Sequence, residues 1–208
     1  METLVGDTLY FSATDGSSGR ELWAHDTSNS STWRVTDINS GSGHSYPGQY
    51  IATLVGDTLY FSATDASSGH ELWAHDTSNA STWRVADINS GTSSSSPGNY
   101  MEILVGDTLY FSAYDVSSGH ELWAHDTSNA STWRVTDIHS SGSSNPGQYG
   151  GGILVGDTLY FDATDGSSGV ELWAHQPGEI TSLSSGSASG SGGITNVTNA
   201  TSCVDAPS

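Results

Sequence analysis

Apolar residues in this chain fall in short alternating runs. In Thr58-Leu-Tyr-Phe-Ser-Ala63, Leu59, Phe61 and Ala63 share one face of an extended segment and Tyr60 takes the other. In Glu71-Leu-Trp-Ala-His75, Trp73 stands opposite Leu72 and Ala74. Two further runs, Ile51-Ala-Thr-Leu-Val55 and Thr82-Trp-Arg-Val-Ala-Asp-Ile88, complete a set of four. Each is rich in β-branched and aromatic residues and bounded by Gly, Asp, Asn or Ser, which predicts strands. Gly56-Asp57 between the first two reads as a two-residue hairpin, and the loop Asn89 to Gly98 ends the set. No stretch has helical spacing.

The set recurs every fifty residues, marked by Trp23, Trp73, Trp123 and Trp173. A fixed period of this size signals a repeat architecture. Because both faces of the strands carry apolar weight, each sheet must be covered on both sides. The predicted fold is therefore all-β, a β-propeller of four four-stranded blades at about 1–50, 51–100, 101–150 and 151–185. A β-sandwich and a β-helix are the rivals; the first seldom has so strict a period, and the coils of the second are shorter. Repeat 4 stops matching after His175, where Gly178-Glu-Ile-Thr-Ser-Leu183 replaces the Trp-Arg-Val strand. A degenerate last repeat suits a cap. Residues 186–208 read as a Gly/Ser-rich tail with a β-like run at 194–201. That run is expected to return to repeat 1, add a strand at its edge and close the ring within one chain. Two chains pooling their blades is the alternative.

Charge narrows the partners. The 208 residues carry a net charge of −19 with four arginines and no lysine, which argues against nucleic acid and anionic membranes. No apolar run reaches the length of about eighteen residues that a membrane span needs, and no signal-peptide pattern opens the sequence. Cys203, the only cysteine, allows no internal disulfide and reads as a spectator thiol. Asn29, Asn79, Asn129, Asn196 and Asn199 are candidate glycosylation sites, the first three at one hairpin tip of the repeat.

At Glu21-Leu-Trp-Ala-His-Asp-Thr27 the unit resembles the ELWxxDGT repeat, a module of exported bacterial and archaeal proteins. Asp7-Thr-Leu-Tyr-Phe-Ser-Ala13, Val35-Thr-Asp-Ile38 and Ser45-Tyr-Pro47 extend the match, while Asp26-Thr-Ser-Asn29 departs from the family's Asp-Gly-Thr turn. The resemblance implies propeller blades and an extracellular or cell-surface location. It implies no catalytic residue.

The candidate chemistry is modest. Trp23 and its copies read as core, whereas Trp33, Trp83 and Trp133 on an outer strand are candidates to stack on a glycan. Position 20 of the repeat varies as Arg20, His70, His120 and Val170, and variable positions on a constant frame are where a ligand would be selected. His25, His75, His125 and His175 read as hydrogen-bonded strand ends rather than metal ligands. Asp15, Asp65, Asp115 and Asp165 open the turn Asp-x-Ser-Ser-Gly and should fix it through backbone N–H groups. Asp7, Asp57, Asp107 and Asp157 could line a channel mouth and hold Ca2+. The residues that break the repeat (Arg20, His44, Tyr46, Tyr114, His139, Asp162 and Val170) form no nucleophile–base or paired-acid pattern. A non-catalytic module that binds a glycan or surface protein is thus expected, with no cofactor beyond Ca2+. A protomer that binds copies of itself in a filament or layer is the alternative.

Overall fold

In the computed structural model the described residues are 1–176 and, as backbone only, Glu179–Ser185 and Ile194–Thr198. They form two compact units, Met1–Asn99 and Tyr100–Ser208, each holding two sheets. In the first unit, β1 (Glu2–Val5), β2 (Thr8–Thr14), β3 (Arg20–Asp26) and β4 (Ser31–Arg34) form one antiparallel meander. β5 (Ala52–Val55), β6 (Thr58–Asp65), β7 (Gly69–Asp76) and β8 (Ser81–Ala86) form the next. The second unit repeats this with β9 (Glu102–Val105), β10 (Thr108–Asp115), β11 (Gly119–Asp126) and β12 (Ser131–Arg134). Its other sheet is β13 (Gly152–Val155), β14 (Thr158–Thr164), β15 (Val170–Gln176), β16 (Glu179–Ser185) and β17 (Ile194–Thr198). Among the described residues no helix is long and apolar enough to cross a membrane.

The expected four-strand repeat is therefore present in an all-β chain. Its second and third strands run further toward their turn than the sequence suggested, and its fourth is shorter. One expectation fails. The run at 194–201 does not return to repeat 1: Ile194–Thr198 pairs antiparallel with β16, with Ile194 opposite Ser185 and Thr198 opposite Thr181. Strands adjacent in sequence are the natural pairing partners, and the run extends its own sheet. Cys203, Asn199 and the 186–193 stretch lie outside the described residues, and Asn196 falls within β17.

The turns follow from their residues. Gly6, Gly56, Gly106 and Gly156 take φ of 57–61° at the first central position of each two-residue hairpin, where a side chain would be strained. Asp15 Oδ1 accepts the N–H and hydroxyl groups of Ser17 and Ser18, and Asp65 does the same for Ser67 and Ser68. These donors, the Ser17 N–H foremost, hold Asp15 well below the usual carboxylate range. The third turn is built differently: Asp26 accepts from Ser28 and Asn29, and Asn29 Oδ1 accepts the Ser31 N–H and hydroxyl. It leaves Ser30, Ala80 and Ala130 left-handed at φ of 62°, 60° and 58°. A Cβ in that conformation costs about 1 kcal/mol. Ala80→Gly and Ala130→Gly should each raise the urea midpoint, by up to about 1 kcal/mol of stability. An unchanged or lower midpoint would refute that strain.

Packing between the sheets has a direction. The pairing register puts Tyr10, Leu22 and Ala24 on one face, the back, and Leu59, Phe61, Ala63 and Trp73 on the opposite face of the next sheet, the front. Tyr10, Leu22, Ala24 and Ile38 form one core with Leu59, Phe61 and Ala63, while Trp73 packs partly buried against it. The second unit repeats the arrangement with Tyr110, Leu122, Ala124 and Ile138 against Leu159, Phe161, Ala163 and Trp173. Back-on-front stacking is the rule of both units.

Candidate functional site

The three outer tryptophans occupy equivalent places. Trp33, Trp83 and Trp133 lie on β4, β8 and β12 opposite Ala24, Ala74 and Ala124, so each joins the back face at the outer edge of its sheet. They remain 42%, 40% and 39% exposed. Beside each is the Asp–Asn–Ser hairpin, and Asn29, Asn79 and Asn129 at its tip are exposed, as a glycan would require. Trp73 and Trp173, in contrast, pack into the cores, as expected for their set.

Position 20 separates into three environments. His70 is buried; its Nδ1 lies 2.7 Å from Thr64 Oγ1, its ring is 5.0 Å from that of Tyr50, and burial lowers its pKa to about 4. His120 sits between Tyr100 and Tyr114 at 5.0 and 5.2 Å. Arg20 is exposed, donates to Ser12 O at 3.4 Å, and is the one arginine without a carboxylate partner among the described residues. It borders an open cavity of about 270 Å3 with Ser12, Tyr46, Pro47 and Gln49.

The strand-end histidines behave as expected: Nδ1 of His25, His75 and His125 lies 2.7–2.9 Å from Thr32, Thr82 and Thr132 Oγ1. Asp7, Asp57, Asp107 and Asp157 are exposed at hairpin tips. The main-chain O of Asp7 accepts the Thr27 N–H and hydroxyl, and those of Asp57 and Asp107 accept from Thr77 and Thr127. Among the described residues no three His, Cys, Asp or Glu side chains gather as a metal site.

Several repeat-breaking residues have local structural work. Asp162 accepts the N–H groups of Tyr149 and Gly150, replacing Ser62 and Ser112, which accept from Tyr50 and Tyr100. His44 Nδ1 accepts the Arg20 N–H, as Ser94 and Ser143 hydroxyl oxygens accept those of His70 and His120.

The strongest constellation escaped the sequence reading. Glu71, fully buried, accepts the Ser95 N–H on Oε1 and the Ile88 N–H and Ser95 hydroxyl on Oε2. Glu121 binds Ser144 and Ile138 identically, and Glu21 accepts from Ile38 and Ser45. Burial pushes the Glu71 and Glu121 carboxyls up to about 7 against the pull of these donors. In each case the carboxylate ties a long loop to its own sheet. Its signal was a recurring acid inside an apolar strand, matched by a recurring serine two residues before proline.

No family model and no curated protein matches the chain. Among solved structures, a puromycin hydrolase mutant complexed with PGG is similar at a TM-score of 0.56 and 9% identity, covering 94% of this chain and 32% of that one. TolB from Acinetobacter baumannii gives a TM-score of 0.48 at 12% identity, covering 92% and 49%. The GH74 xyloglucanase from Xanthomonas campestris gives 0.45 at 14%, covering 91% and 31%. The chain thus spans half or less of the length of these proteins. The likeness to the puromycin hydrolase, a β-propeller-like neighbour, is at 9% identity one of fold alone.

Proposed function

We propose that this chain is a non-catalytic, extracellular or cell-surface binding module of β-propeller type, with Trp33, Trp83 and Trp133 each a stacking site for a glycan. One observation carries the reading: three large aromatic rings remain about two-fifths exposed at one repeat position. An indole face stacks on the apolar face of a sugar ring, and each of these tryptophans offers such a face. Two of the residues that break the repeat, Asp162 and His44, are committed to holding backbone. The resemblance to ELWxxDGT repeats and the net charge of −19 agree with life outside the cell.

The test is a polysaccharide array probed with the intact chain and with the Trp33→Ala, Trp83→Ala, Trp133→Ala triple variant. Binding by the intact chain and its loss, by tenfold or more, in a variant with an unchanged circular dichroism spectrum is expected. Equal binding by both proteins, no binding by either, or turnover of any polysaccharide would contradict the proposal.

A further inference from the structure

Within each unit the stacking rule leaves the front of its first sheet and the back of its second uncovered by the partner sheet, and in repeats 1 and 4 such a face is exposed. In repeat 3 the back face carries Ile103, Val105, Tyr110 and Leu122, and it is packed against repeat 4, with Leu122 fully buried. The same face of repeat 4 carries Ile153, Val155, Tyr160 and Leu172. Ile153 is 62% exposed, Val155 58% and Leu172 50%. Contiguous apolar side chains at such exposure are uncommon on a monomer without a partner. The front face of repeat 1 carries Leu4, Leu9, Phe11, Trp23 and His25. Leu4 is 60% exposed and Phe11 half-buried, whereas Phe61 and Phe111 on the same face of their repeats are fully buried.

A second sign points the same way. Within each unit, a back-face tyrosine meets a front-face histidine: Tyr10 with His75 at 5.3 Å, and Tyr110 with His175 at 4.9 Å. Tyr160 on the back of repeat 4 and His25 on the front of repeat 1 have no such ring partner among the described residues. The two open faces are thus the two halves of a contact the chain already makes.

We propose that these faces bind each other between molecules, the back of repeat 4 in one copy seating on the front of repeat 1 in a second. The occupant is a second copy because its front face offers the side chains that cover the equivalent surface of repeats 1 and 3. The contact is heterologous, so it propagates as a ring or filament according to the rotation it imposes. It is independent of the tryptophan sites proposed above.

Two variants on exposed residues, Leu172→Asp and Leu4→Asp, test it without touching a core. Sedimentation of the intact chain at moderate ionic strength, where its charge is screened, should show association above the 21.7 kDa monomer. Each variant alone should be monomeric, with its circular dichroism spectrum and melting temperature within a few degrees of the parent. An equal mixture of the two should restore a dimer, since one variant keeps a sound front and the other a sound back. A strictly monomeric intact chain would overturn the proposal, because its faces would then be covered within one chain or by nothing. Association that survives both substitutions, or a mixture no larger than its parts, would overturn it as well.

Discussion

Glu71→Ala is expected to cost roughly 3–5 kcal/mol, while Glu171→Ala costs less than about 1 kcal/mol. The residues occupy the same place in their repeats. Glu71 is fully buried and accepts three hydrogen bonds from Ile88 and Ser95, so its removal strands the Ile88 N–H and leaves the Ser95 N–H and hydroxyl only the His70 carbonyl oxygen. An orphaned buried donor costs about 1–3 kcal/mol, and the emptied side-chain volume in a packed sheet adds a cavity cost of about the same size. Glu171 is only half-buried and takes no such bond among the described residues. Urea unfolding of the two variants decides it, and equal effects would sink the loop-clamp reading.

The same carboxyl predicts a pH signature. Its pKa is about 7 when folded against 4.5 for the free group, so the native state holds the proton more tightly. The stability this contributes is fully present below 4.5 and is lost as pH rises through about 7. The stability difference between the parent and Glu71→Gln should therefore shrink across that window. His70 titrates in the opposite sense, its folded pKa being lowered to about 4, but it is present in both proteins and largely cancels.

Phe61→Ala should be equally severe, at about 3–5 kcal/mol, because its ring is fully buried between two sheets and leaves a cavity. Phe11→Ala, on the half-buried front face of repeat 1, should cost less than half of that. The comparison belongs in the Leu172→Asp background, which keeps the end faces apart. A Phe11→Ala effect as large as that of Phe61→Ala in this background would show that the face is covered after all.

Much of this was legible in the residues because it is local. The Gly-Asp hairpins, the Asp15-type turns and the alternation of Leu59, Tyr60 and Phe61 each depend on neighbours within a few positions. The clamp was not legible, because Glu71 and Ser95 are separated by a loop whose course no periodicity encodes. Position 20 misled for a related reason. Its variation among Arg20, His70 and His120 suggests ligand selection, yet Tyr50 and Tyr100, brought in by the preceding loop, occupy the space beside both histidines. The tail strand was assigned to repeat 1 on the need to cover an edge, and proximity in sequence to β16 decided otherwise. The exposure of the outer tryptophans was not legible either, since alternation gives a face but not what covers it.

The tryptophan sites can be read out residue by residue. The seven indole N–H groups give seven signals in a two-dimensional nitrogen–proton spectrum, assignable through single Trp→Phe variants. Titration with a polysaccharide selected on the array should move the signals of Trp33, Trp83 and Trp133 and leave those of Trp73 and Trp173 in place. Shifts confined to the buried tryptophans, or a saturating ligand that moves none of the three, would contradict the account.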